Sequence, residues 1–67
     1  MLEIHKDEWG TNWVHYNREI VGYIFHSLLS SKYAMHFMVA YSIDFQIELL
    51  IAIQDYIKNN PKKLSTD

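Results

Sequence analysis

The sequence contains no cysteine, one proline and two glycines among its 67 residues. Without cysteine the chain forms no disulfide and offers no thiolate ligand to a metal. A chain of this length buries only about 60% of its extended surface on folding, so such domains rely on a metal, a partner or an unusually apolar core. Hydrophobic residues make up 49% of the sequence and aromatic residues 15%, which favours an apolar core or an oligomer.

Basic residues are also scarce: six Lys and Arg stand against eight Asp and Glu, for a net charge of −2 with His neutral. Because Lys58, Lys62 and Lys63 lie near the C-terminal end, the rest of the chain lacks the basic footprint of a nucleic-acid-binding protein. The longest strictly apolar run, 49–53, is far too short to span a bilayer, and the charged first residues differ from a signal peptide. We expect a soluble, cytoplasmic protein without membrane association.

Residues 33–41 form the most informative stretch, because they read YAMHFMVAY with a large apolar side chain at every odd position. This period of two predicts a β-strand. Two further β-rich runs, 13–16 and 20–27, flank a short polar break and predict a hairpin, with Arg18–Glu19 taken as its two-residue turn. Gly22 inside the second run indicates a bulge or a close approach of another strand.

A helix is predicted after these strands. Ser42 is a favourable N-cap, residues 43–59 carry apolar side chains at helical spacing, and Pro61 follows the expected end. The predicted fold class is therefore α+β, a three-stranded antiparallel β-meander followed by one C-terminal α-helix. We expect a single small domain over residues 1–60 and a flexible tail over 61–67.

Two features leave the architecture open at this point. Residues 2–5 alternate between apolar and polar side chains, so a short additional edge strand fits the sequence. Apolar residues between 13 and 29 also recur at near-helical spacing. The alternative fold is consequently an all-α helical hairpin with helices over about 13–29 and 32–59.

The predicted register sorts the side chains of the sheet into two faces. It places Trp13 opposite Ile24, and the helix covers the more uniformly apolar face. The other face mixes Trp, His and Met, a composition typical of the centre of a protein interface. The candidate binding residues on this face are Trp13, His15, Ile24, His26, His36 and Met38.

The helix and the acidic residues supply two further candidate surfaces. The helix is apolar over more of its circumference than one covered face requires. Leu49, Ile53 and Tyr56 extend its apolar surface, and they predict an isologous homodimer. Acidic side chains are expected to meet a basic protein partner. The candidate residues for that contact are Glu3, Asp7, Glu8, Asp44, Glu48 and Asp55.

The sequence carries no motif for chemistry. It lacks the nucleophile elbow, the P-loop, the H-E-x-x-H zinc motif and any cysteine nucleophile. His26 and His36 are diagonal neighbours in the predicted register and invite a zinc hypothesis, yet no carboxylate is assigned to their face to complete a tetrahedral set. We expect no enzymatic activity, no catalytic residue, no metal and no cofactor.

Nucleic acid is the first alternative partner. A three-stranded sheet followed by a helix resembles the integrase-arm DNA-binding domains in topology. That resemblance implies insertion of the sheet into the major groove, with basic side chains reaching base edges. In this sequence only Arg18 and Lys32 lie near the predicted strands, both at turns, so nucleic acid ranks below protein as a partner.

The expected function is that of a small, non-enzymatic protein-binding module. Short, acidic, cysteine-free chains without catalytic motifs are common among phage and mobile-element inhibitors of host proteins. This composition predicts an inhibitor of a host defence or nucleic-acid-processing protein, acting in the host cytoplasm. An assembly or regulatory subunit is the third alternative, and the sequence separates it poorly from an inhibitor.

Overall fold

The computed structural model describes residues 1–26 and 32–60. In these ranges the chain forms one antiparallel sheet, whose strands follow chain order, and one helix. The elements are β1 (Leu2–Lys6), β2 (Asn12–Tyr16), β3 (Glu19–His26), β4 (Tyr33–Phe37) and α1 (Ile43–Asn59). The α+β class is confirmed and the all-α alternative is not supported. The predicted tail 61–67 lies outside the described residues, as do residues 28–31 of the connection predicted over 28–32.

The strand count differs from the expected three, because the alternating segment near the start of the chain forms β1. It pairs antiparallel with β2, so that Ile4 lies opposite Val14. The last predicted strand is also shorter than its alternating pattern, since β4 ends at Phe37. Beyond that point Val39 and Tyr41 belong to the connection that leads into α1.

The turn between β2 and β3 lies one residue earlier than predicted. Its central residues are Asn17 and Arg18, which have φ angles of 52° and 72°. Positive φ at both positions is the hairpin geometry that matches the twist of the flanking strands. Together with a β-bulge in β3, this shift changes the register, so that Trp13 lies opposite Tyr23 and not opposite Ile24.

A β-bulge interrupts the pairing of β2 with β3. Val14 lies opposite Gly22 and His15 opposite Ile20, so Val21 is the extra residue of β3. A Cβ atom on Gly22 would overlap the backbone oxygen of His36 and lie 2.8 Å from the Met35 Cε. The two alternatives predicted from this glycine, a bulge or a close approach of another strand, are both present.

The core lies between α1 and one face of the sheet. Its centre is formed by buried aliphatic side chains from β2, β3 and the helix, surrounded by half-buried apolar residues that pack against them. Among the described residues, the buried aliphatic ones are Val14, Val21, Ile24, Leu49 and Ile53. None of the described elements covers the opposite face, where large apolar side chains such as Ile20 and Phe25 are about half exposed.

The helix begins and ends as the sequence predicts. The Ser42 side-chain oxygen accepts a hydrogen bond of 3.2 Å from the Phe45 amide, and the Asn60 amide donates to the carbonyls of Tyr56 and Ile57. Asp44 in the first turn and Lys58 in the last turn complement the helix dipole. Across the described ranges, no helix combines the length and apolar character that a bilayer crossing requires.

Candidate binding surface

Four aromatic side chains, one from each strand, line up across the face of the sheet opposite α1. The register places His5 opposite Trp13, Trp13 opposite Tyr23, and Tyr23 opposite His36. The Trp13 and Tyr23 rings meet edge to face at 5.4 Å, and the Tyr23 and His36 rings stack at 5.0 Å. We call these four residues the aromatic row. Such ring pairs favour fixed relative orientations, so the row presents a preorganised surface.

A shallow cavity of about 390 Å³ adjoins the aromatic row. Apolar side chains form much of its wall, and Ile20 and Met38 are each 51% exposed there. The lining residues are His5, Lys6, Asp7, Trp13, His15, Ile20 and Met38. An apolar depression with a polar rim suits an apolar side chain presented by a partner.

Asp7 holds Trp13 in place through the turn between β1 and β2. One carboxylate oxygen accepts hydrogen bonds from the backbone amides of Trp9 and Thr11, each 2.9 Å long. The other oxygen accepts from the Trp13 indole N–H, also at 2.9 Å. The bond from Trp13 is the main cause that lowers the pKa of Asp7, followed by the bond from Thr11. The carboxylate therefore ties the turn to the aromatic row.

We predict that Asp7 makes stability depend on pH on the acid side. Because its folded pKa lies below its ordinary value of 3.8, its stabilising contribution is present above that value and is lost as the pH falls through the folded pKa. The melting temperature, measured by circular dichroism from about pH 7 to about pH 2.5, should fall less steeply in Asp7→Asn than in the wild type. The variant should also be less stable near neutral pH.

The neighbouring Glu8 supplies the control, since its side chain is exposed and forms no hydrogen bond within the part of the chain that the structure describes. Glu8→Gln should reproduce the wild-type pH profile. Equal acid sensitivity in the wild type and Asp7→Asn would show that the Asp7 carboxylate does not stabilise the turn.

A histidine pair and a glutamate lie at the β1 edge of this face. The His5 Nε2 and a Glu3 carboxylate oxygen are 2.8 Å apart, and the rings of His5 and His15 meet edge to face at 4.9 Å. The hydrogen bond from His5 lowers the pKa of Glu3. Both side chains are more than half exposed, so solvent screens the pair. The described residues contain no group of three His, Cys, Asp or Glu that could hold a metal ion.

The structure brings together four of the six residues predicted for the binding face. Trp13, His15 and Met38 border the cavity, and His36 ends the aromatic row. The placement of Ile24 was wrong, because it is 3% exposed and belongs to the core. His26 follows Ile24 by two positions and pairs with Tyr33, so it lies on the opposite face of the sheet from His36. The predicted neighbourhood of these two histidines was therefore also wrong.

The sequence prediction missed part of this surface. Tyr23 is central to the aromatic row, and Phe25 and Ile20 extend its exposed apolar area. The predicted register contained no bulge between β2 and β3, and it therefore placed Tyr23 and Phe25 on the core face. The bulge at Val21 is a slip of one residue, which exchanges the two faces of the strand beyond it. The signal that could have revealed Tyr23 was Gly22, which the sequence indicated as a bulge or a close approach of another strand.

The predicted acidic and dimer residues separate in the structure. Glu3 and Asp7 lie near the aromatic row, Glu8 is exposed in the adjoining turn, and the remaining acidic candidates, Asp44, Glu48 and Asp55, are exposed on α1. The acidic candidates therefore form two separate groups.

Two of the three residues predicted for the dimer surface are buried. Leu49 is 0% exposed and Ile53 is 5% exposed, because the chain's own sheet covers them. They are core residues, which corrects their assignment to a dimer surface, while Tyr56 is half-buried.

These features define a small α+β domain that covers one face of an antiparallel sheet with a helix and exposes aromatic side chains on the other. Comparison with protein-family models, with curated proteins and with solved structures found no match to this chain. Since a fold alone does not imply a function, the surface chemistry has to indicate it.

Proposed function

We propose that this chain is a non-enzymatic protein-binding module that contacts its partner through the aromatic row and the adjoining cavity. The observation that carries the proposal is the fixed array of Trp13 and Tyr23 beside exposed apolar side chains. Interface centres are enriched in Trp, Tyr and Met, and rigid aromatic anchors lose little conformational freedom on binding. The array therefore has the residue types that contribute most of the binding energy in protein interfaces.

Charge favours a protein partner over nucleic acid. Aromatic rings also stack on single-stranded bases, but such sites pair them with a positive groove that follows the phosphates. Here Glu3 and Asp7 lie beside the row, and the whole chain carries a net charge of −2. The partner surface that fits is an apolar side chain inserted beside Trp13, with basic residues around it.

The partner class that fits this chemistry is a larger protein with a basic surface, such as a nucleic-acid channel. Acidic side chains on α1, at Asp44, Glu48 and Asp55, add to the field that attracts such a surface. Occupation of the channel by this domain would block nucleic acid. The proposed role is therefore an inhibitor of a host defence or nucleic-acid-processing protein.

The proposal predicts that charges placed on the sheet face weaken partner binding. Immobilised wild-type protein and the variants Ile20→Glu and Met38→Glu are compared for proteins retained from host lysate, and the affinity of any purified partner is then measured. A carboxylate in the apolar contact should weaken binding at least about 30-fold.

Val39→Glu is the matched control, because Val39 is 59% exposed, adjacent to Met38 in the chain, and does not line the cavity. It should bind as the wild type does. Equal binding by all three variants would overturn the proposed surface. Salt-sensitive retention of single-stranded DNA, lost in Ile20→Glu and Met38→Glu, would instead establish the nucleic-acid alternative.

A further inference from the structure

A row of exposed aliphatic side chains follows the side of α1 that faces away from the sheet. Ile43 is 75% exposed, Ile47 52% and Ile51 57%, and Leu50 is 39% exposed. Positions 43, 47, 50 and 51 share one face of a helix. We call these four residues the outer stripe. Its exposure is unusual for a soluble domain, in which contiguous apolar patches mark interaction sites.

A groove adjoins the outer stripe. The α1 backbone approaches β1 most closely, which leaves a groove of about 340 Å³ between the helix and β4. Leu50 lines the groove together with Met35 and Ile57. Because Leu50 also belongs to the outer stripe, an apolar ridge and an apolar groove form one continuous surface.

We propose that the outer stripe binds the same stripe of a second copy of this chain, as an antiparallel pair of α1 helices with the two-fold axis near Leu50 and Ile51. An isologous interface needs one patch that complements itself, and a ridge beside a groove meets that requirement. A chain of this size, with five buried aliphatic residues in the core of the part that the structure describes, also gains stability from a partner that covers its exposed apolar side chains.

The charges of α1 select the antiparallel arrangement. With the axis between positions 50 and 51, Asp44 of one copy lies near Lys58 of the other, and each helix end lies beside the oppositely charged end of its partner. A parallel pair would bring Asp44 against Asp44 and Lys58 against Lys58. The dimer leaves the aromatic row and the adjoining cavity uncovered, so it does not compete with the proposed binding surface.

Sedimentation equilibrium tests the interface. The wild type should be dimeric at about 100 µM, and Ile47→Glu should raise the dimer dissociation constant at least about 100-fold, since each dimer contains the buried charge twice. Met38→Glu is the control, because Met38 and Ile47 are equally exposed, at 51% and 52%. A monomeric wild type, or dissociation by Met38→Glu but not by Ile47→Glu, would overturn the proposal.

Disulfide cross-linking tests the orientation in a chain that has no native cysteine. Ile51→Cys lies near the proposed axis and should form a linked dimer on mild oxidation. Ile43→Cys should not, because its two copies would be about 22 Å apart, beyond the reach of a disulfide. Preferential linking of Ile43→Cys would show a parallel pair and overturn the arrangement. The charge reversal Asp44→Lys should weaken the dimer, and the addition of Lys58→Asp should restore it.

Discussion

We expect Gly22→Ala to lower the free energy of unfolding by about 3 kcal/mol, the range of severe overpacking in a closed interior. The added methyl group would overlap the backbone oxygen of His36, and β4 can relieve that contact only by moving away from β3. In a domain of this size the melting temperature should fall by about 10–20 °C. Thermal and urea unfolding followed by circular dichroism measure both quantities.

Gly10→Ala separates this steric effect from the general cost of replacing glycine. Gly10 has a φ of 85°, and a Cβ atom there would meet nothing within 4 Å. The variant should lose only the cost of a left-handed backbone, about 1–2 kcal/mol. If both alanine variants lose the same stability, close approach of β4 is not what requires glycine at position 22.

Leu49→Ala should have the largest effect among the helix variants, about 3–4 kcal/mol, because it removes a fully buried side chain and leaves a cavity. Leu49 contacts the core formed by β2 and β3, so the loss should be the same at every protein concentration. Chemical denaturation at several concentrations measures this effect.

The adjacent Leu50 is the matched control, since it is the same residue type but 39% exposed. At concentrations where the protein is monomeric, Leu50→Ala should cost about 1 kcal/mol. Its effect should grow with concentration as dimers form, because binding stabilises only the folded state. Equal losses for Leu49→Ala and Leu50→Ala in the monomer would contradict the assignment of the two faces of α1.

The helix could be predicted to the residue, because its ends depend on local chemistry. The Ser42 hydroxyl caps the first turn, and Asn60 follows the last residue with a proline behind it. The α+β class followed from the change of apolar period between residues 33–41 and 43–59. These signals involve neighbouring residues, so they need no knowledge of the tertiary structure.

The sheet register was only partly predictable from local signals. The turn was predicted over Arg18–Glu19, one residue too late, although Asn17 adopts positive φ more readily than Arg or Glu and is a central residue of the observed turn. The bulge beside Val21 added a second shift. Half of the aromatic row was consequently recognised, through Trp13 and His36, while Tyr23 required the pairing that only the folded sheet defines.

The same limit applied to the helix surface. The helix carries apolar side chains on more than one side between Ile43 and Lys58, and periodicity alone does not show which side the sheet covers. Leu49 and Ile53 were assigned outward although they lie in the core. The burial of Leu49 and Ile53 in the folded chain shows which side of α1 the sheet covers.

The bulge has a consequence for how β3 tolerates changes in chain length. Ile20 lies opposite His15 and Gly22 opposite Val14, so deletion of Val21 alone would leave a regular ladder in which every other side chain keeps its face. Deletion of a residue beyond the bulge, such as Tyr23, would move the core-facing side chains of the rest of the strand to the exposed face, and the exposed ones to the core face. In sequences that diverge from this one, a deletion of one residue within the paired part of β3 should therefore preserve the aromatic row only where it removes the bulge.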